Sequence, residues 1–169
     1  SGSIASMTSR FDLPSDSSLS GPLVRRLQQD LIRIQVVQPT SLRQIGMALH
    51  EALVNAIEHG NLEVPSALKE DGDAFQKMIA QRSTQLPYST RRVRVTAHHS
   101  LQAGQCEVKY VIADEGPGFN WADLPDPTDP ANLEKPSGRG LLLIHTFMDE
   151  VTFNSAGNEV TLIRRLASD

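Results

Sequence analysis

Leu23, Leu27, Leu31 and Ile34 recur three or four residues apart, the spacing that lines one face of a helix. The helix they predict begins after Ser20-Gly21-Pro22, because proline is tolerated near a helix start, where its missing N–H has no partner to lose. Pro39 separates it from a second predicted helix, capped by Thr40 or Ser41 and running to about His59. Leu42, Ile45, Leu49, Leu53 and Ala56 form its core stripe, and Gly60-Asn61 is expected to end it with glycine at a left-handed cap. Residues 62–90 are more polar, with a helix predicted over 66–82 and Pro87-Tyr88-Ser89 closing the excursion. The period then changes from helical to alternating. Arg92 to His99 and Glu107 to Ala113 predict two strands joined by a loop around 102–105, and Arg10 to Leu13 is a short alternating piece ahead of the first helix. Residues 119–137 are proline-rich without apolar periodicity and read as a long loop, which in a compact domain is usually functional or disordered. A helix from Gly140 to about Met148 follows, then strands near Val151–Asn154 and Glu159–Arg165 joined by Ala156-Gly157-Asn158. Helices, hairpin, loop, helix, hairpin is the order of an α+β fold: a two-layer sandwich with helices on one face of a mostly antiparallel sheet.

The 169 residues suit one domain with a core of its own. A net charge of −4 gives no basic footprint for nucleic acid, and Arg91, Arg92 and Arg94 at a strand start read as a solvated face. One cysteine, Cys106, excludes an internal disulfide and a multi-thiolate zinc site; its alternating apolar surroundings suggest a buried thiol. With no apolar run long enough for a bilayer and no secretory leader, the expected location is the cytoplasm, away from any membrane. Residues 1–6 have the character of a cloning remnant, leaving 7–169 as a single domain.

Three constellations carry chemistry. Glu51, Asn55 and His59 lie four residues apart, on one stripe of a largely apolar helix. Burying a carboxylate, an amide and an imidazole in line costs several kcal/mol unless a partner satisfies them, and hydrated Mg²⁺ with phosphates would do so. A solvent-facing polar row explains the same spacing equally well. The second is Asp114-Glu115-Gly116-Pro117-Gly118-Phe119 at the end of an apolar strand, where a carboxylate can accept the exocyclic amine of adenine while glycines let the backbone approach it. Taken alone, an Asp-Gly turn is the commoner reading. The third is Gly138-Arg139-Gly140-Leu141, glycines opening an apolar helix whose N-terminal amides and dipole suit phosphate. It is neither a P-loop nor a dinucleotide fingerprint.

In order and spacing, Glu51-Ala-Leu-Val-Asn55-Ala-Ile-Glu-His59-Gly60, Asp114-Glu-Gly116-Pro-Gly118-Phe119 and Gly138-Arg-Gly140-Leu resemble the three nucleotide-binding boxes of the GHKL ATPase superfamily, which includes gyrase-type topoisomerases, mismatch-repair ATPases and histidine kinases. Residues 141–151, Leu-Leu-Leu-Ile-His-Thr-Phe-Met-Asp-Glu-Val, are most similar to the wording of the anti-sigma-factor serine/threonine kinase family within it. The resemblance implies a histidine-kinase-type ATPase fold that binds ATP and Mg²⁺, with Asn55 as the metal ligand and Glu51 as general base. His59 would touch phosphate or, by preference, hydrogen-bond near the helix end. Asp114 would hold adenine, Gly116, Gly118 and Phe119 would shape the base and ribose pocket, and Gly138 to Leu141 would grip phosphates. Residues 119–137 would be the ATP lid. Family members place a lid arginine on the terminal phosphate; here Lys135 or Arg139 would take that place, and lysine is a point charge rather than a fork. The implied reaction is transfer of the γ-phosphoryl group to a serine or threonine of a STAS-domain anti-anti-sigma partner, with a sigma factor as second partner and homodimerisation through the early helices.

The 62–90 segment is longer than simple kinases of that family carry and resembles the insert of ATPase domains attached to larger signalling proteins. The alternative function, which the altered lid favours, is an ATP-dependent regulatory binding module of a larger signalling protein without kinase activity. The ATPase half of a histidine kinase is a weaker fit, since no phosphoacceptor helix pair precedes the domain. His98 and His99, adjacent on a strand, point to opposite faces and read as surface or edge residues. His145 reads as a satisfied core residue, and Trp121 as part of the lid.

Overall fold

The computed structural model describes residues 5–35, 37–119 and 139–167. Five strands, β1 (Ser6–Pro14), β2 (Arg92–Gln102), β3 (Gln105–Ala113), β4 (Glu150–Phe153) and β5 (Glu159–Ala167), form one sheet in the order β1-β2-β3-β5-β4. Every neighbouring pair is antiparallel. The helices are α1 (Ser20–Ile34), α2 (Pro39–Val54), α3 (Gly72–Arg82) and α4 (Arg139–Phe147). This is the expected α+β arrangement.

Strand alternation decides which face the helices cover. Val93, Val95, Ala97 and His99 of β2, Cys106, Val108, Tyr110 and Ile112 of β3, and Val160, Leu162 and Leu166 of β5 all turn inward and are buried. Leu23, Leu27 and Leu31 of α1 and Ile45, Leu49 and Leu53 of α2 meet them in one core. Arg164 occupies the remaining inward position of β5. Its guanidinium donates to the Phe147 carbonyl at 2.5 Å and reaches Gln44 at 3.3 Å, tying the sheet to α4 and α2.

Several expectations are corrected. The second helix begins at Pro39 with Gln38 before it and no side-chain cap, so Thr40 and Ser41 are not its caps. Nor does it end at a left-handed glycine. Residues Asn55–Asn61 continue it as a π-helical turn, in which Leu62 N donates to Ile57 O at 3.0 Å, and Gly60 is not among the positive-φ residues described. The helix expected over 66–82 is split into a 3₁₀ turn, Ser66–Glu70, and α3, because the Asp71 carboxylate accepts the Ala74 N–H at 3.2 Å and caps a new start. β1 is longer than its alternating core and starts at Ser6, paired with Ser100, while the Ala5 carbonyl accepts Leu101 N; the end of the excluded leader therefore joins the ladder. His99 is buried, 1% exposed, because its strand parity points it at the core; its ring meets Tyr110 edge-on at 6.5 Å. His145 is exposed, since Ile144 and Met148, one turn apart, take the inward positions. Arg91 departs from its two neighbours: it donates to the Asn61 carbonyl and pairs with Glu63 at 2.7 Å.

Candidate functional site

The site lies at the end of the sheet where β3 finishes, beneath α2 and α4. Glu51 and Asn55 stand one turn apart at the C-terminal end of α2, both half-buried. Neither side chain has a hydrogen bond to another described residue. Facing them is the first turn of α4: a Cβ on Gly140 would lie 2.7 Å from Glu51 Oε2 and 3.8 Å from Asn55 Nδ2. The glycine thus lets the helix N-terminus close on the two side chains. That terminus turns the positive end of the helix dipole to the same space. Arg139 is exposed at this end, and Leu141 is half-buried behind it. Lys135, Gly138, Trp121 and the 120–137 part of the expected lid lie outside the described residues.

The π-helical turn builds the other half. One extra residue per turn widens the helix end and carries Gly60 under Asp114, so that a Cβ there would sit 2.5 Å from the Asp114 carboxyl carbon. Gly116 packs directly on the Gly60 carbonyl, with no room for a side chain. Asp114 itself is fixed from both sides: its N–H donates to the Asn158 carbonyl at 2.9 Å and its Oδ1 accepts Gly116 N at 2.8 Å. Burial pushes its carboxyl up to about 6, against the lowering effects of the Gly116 hydrogen bond and of Arg91. A carboxylate held half-desolvated at the floor of a glycine-walled slot gains most from a ligand N–H donor.

Gly118 adopts a φ of +79° and lies against the Ala156 carbonyl of the β4–β5 turn, which only glycine permits. Phe119 follows, 42% exposed and edge-on to Phe153 at 5.3 Å. His59 is turned elsewhere. Its Nδ1 is 2.6 Å from the Val64 carbonyl and its ring is 6.0 Å from Phe75, so it packs against the 62–90 segment rather than continuing the Glu51–Asn55 stripe. Burial holds its pKa below the ordinary imidazole value, the neutral form suited to that contact.

Three asparagines and a glutamate escaped the sequence reading. Asn61, fully buried, accepts Glu115 N at 2.7 Å and donates to Ser15 Oγ at 3.0 Å. Asn154 Oδ1 gathers the N–H groups of Gly157, Asn158 and Glu159, shaping the turn on which Asp114 and Gly118 rest. Asn158 supplies the carbonyl for Asp114. Glu58, buried in the π turn, is satisfied by the Ser17 hydroxyl at 2.8 Å. The only signal that could have found Asn61 was its place directly after Gly60; the other three sit in segments that read as ordinary turn or helix.

The structure therefore places a half-buried carboxylate, Asp114, at the end of β3, and sets the Asn55 carboxamide and the Glu51 carboxylate against the first turn of α4. Oxygen donors beside a helix N-terminus are groups that suit a nucleoside triphosphate with a hard divalent cation. The family model described as the histidine kinase-like ATPase domain matches residues 14–164 of the chain. No curated protein matches it significantly. Among the described residues no helix is long and apolar enough to cross a membrane.

Proposed function

We propose that this chain, which belongs to the histidine kinase-like ATPase domain family, is a serine/threonine protein kinase of the anti-sigma type, acting on a STAS-domain partner. The observation that carries the reading is the Glu51 carboxylate, closed on by Gly140 at the mouth of the phosphate-facing helix, one turn from Asn55 and with no hydrogen bond to another described residue. A domain that only sensed ATP would need no carboxylate there.

Asp114 would accept the adenine amine, Asn55 would offer its amide oxygen to Mg²⁺, and the first turn of α4 would receive the phosphate oxygens. Mg²⁺, when bound, would neutralise charge on the phosphates. Glu51 would take the proton of the incoming serine or threonine hydroxyl as its oxygen forms a bond to the γ-phosphorus and the bond to the β-phosphate oxygen breaks, leaving ADP. Glu51 also lines a groove of about 450 Å³ with Arg25, Gln28, Arg43, Met47 and Leu143, which would give a protein hydroxyl a way in.

The test is incubation of the purified protein with γ-labelled ATP, Mg²⁺ and a STAS-domain protein from the same genome. Label on a serine or threonine of the partner, abolished in Glu51→Ala although that variant still binds ATP, is the expected result. ATP binding with no transfer to any such partner would overturn the kinase reading in favour of an ATP-dependent regulatory binding module. Asn55→Ala is expected to lose Mg²⁺-dependent nucleotide affinity in calorimetry, and unchanged affinity would remove Asn55 from the metal.

A further inference from the structure

Residues 62–90 leave the fold and return to it on either side of Glu115, the residue between Asp114 and Gly116. On the departing side, the Asn61 carboxamide accepts Glu115 N at 2.7 Å. On the returning side, Arg92 N donates to Glu115 Oε1 at 2.6 Å. The two sides are joined to each other. Arg91 donates to the Asn61 carbonyl at 2.8 Å, Asn61 Nδ2 donates to Ser15 Oγ at 3.0 Å, and Ser15 Oγ donates to the Arg91 carbonyl at 2.7 Å. This closed ring is anchored in the segment itself. The Tyr88 ring lies between the guanidinium groups of Arg82, at 5.0 Å, and Arg91, at 5.4 Å. Arg82 in turn donates to the carbonyls of Leu62 and Glu63.

We infer that the neck of the 62–90 segment positions the base pocket, and that Asn61 is a positioning residue for selection of a 6-amino purine. The inference deepens the proposed function, because it rests on Asp114 as the acceptor of the base amine. Buried polar groups are held where their partners put them, and an N–H that loses its partner is expensive. With Glu115 N bound to Asn61, the 114–116 backbone has a fixed outer end, and the Asp114 carboxylate keeps one direction. Removing the carboxamide frees that end. Contacts to phosphate, at the opposite side of the pocket, do not depend on it. The 62–90 segment therefore acts on which base is bound more than on whether a triphosphate is bound.

The experiment measures dissociation constants for Mg·ATP and Mg·ITP, which differ at the purine 6-position, in the wild type, Asn61→Ala, Asn61→Asp and Glu115→Ala. The wild type is expected to prefer ATP. In Asn61→Ala, ATP binding weakens by about tenfold, the worth of one buried hydrogen bond, and ITP binding by about twofold or less. Asn61→Asp keeps the acceptor for Glu115 N and recovers part of the preference. Glu115→Ala, which removes only the link to Arg92, shifts the ratio in the same direction by less. If Asn61→Ala fails to fold, the last two variants still decide the matter. Equal losses for ATP and ITP, or no change in the ratio in any variant, overturn the positioning role. A wild type that binds ATP and ITP alike overturns the base-reading role of Asp114 instead.

Discussion

Gly140 and Glu51 face each other across the site with no room for a side chain between them: the Cβ that Gly140 lacks would stand 2.7 Å from Glu51 Oε2. The obstructing atom is the far end of a flexible side chain, so Gly140→Ala is expected to displace the carboxylate rather than unfold the domain. Phosphoryl transfer should fall by about tenfold or more, while the melting temperature stays within a few degrees, given a typical overpacking cost of about 1 kcal/mol at the low end. Parallel transfer assays and thermal melts check this, and undiminished transfer would show that Glu51 is not held in place by α4.

If Asp114 reads the base as proposed, its carboxyl, raised to about 6 by burial, should make that recognition pH-dependent. The ionised form accepts the amine, so the preference for ATP over ITP should grow as pH rises through about 6 and level off above 7. Taking the ratio of the two ligands cancels the titration of their own phosphates. The stability effect runs the other way. The folded state holds this proton more tightly than the unfolded chain, whose value is 3.8, so the contribution is present below 3.8 and is lost as pH climbs to about 6. Asp114→Asn should abolish both dependences, and a flat ATP-to-ITP ratio between pH 5 and 8 in the wild type would contradict the assignment.

Tyr88, flanked by Arg82 and Arg91, is the clasp of the 62–90 segment. Tyr88→Leu keeps most of the apolar bulk and removes both cation–π contacts, each worth about 0.5–1 kcal/mol near the surface. The expected loss is roughly 1–2 kcal/mol in chemical denaturation, together with faster hydrogen exchange across residues 62–90. Unchanged exchange there would mean that the segment is held by its apolar contacts alone.

Cys106 is 1% exposed and burial pushes its thiol pKa up. Reaction with a thiol reagent at pH 8 should be slow in the native protein and complete within minutes in denaturant. Rapid native labelling would show that the β2–β3 end of the core opens readily.

Much of the architecture was legible because period and parity are local properties. The Leu23, Leu27, Leu31 series and the alternation through Cys106, Val108, Tyr110 and Ile112 each name a buried face without knowledge of what covers it. The glycine boxes were legible for a related reason, since Gly116 and Gly140 mark places where something must come close. What the sequence left hidden depends on partners distant along the chain. Asn61 matters through Ser15 and Glu115, and nothing in Gly60-Asn61-Leu62 distinguishes a helix cap from a π turn whose hydrogen bonds skip one residue. His59 was misaligned by the same feature, because an i+4 stripe assumes that the α-helical period persists. His99 and His145 exchanged their expected environments, since a polar residue on an amphipathic element is placed by the parity of its neighbours and not by its own chemistry.

The turn over Asn55–Asn61 also carries a lesson for sequence alignment. It behaves as a single-residue insertion absorbed by the helix, and deleting any one of those seven residues would let the α-helical path resume. The wide turn that carries Gly60 under Asp114 would close to ordinary α-helical width, while the chain beyond it kept nearly the same direction. A one-position gap at this point in another chain would therefore foretell a differently supported base pocket, however well the flanking boxes agree.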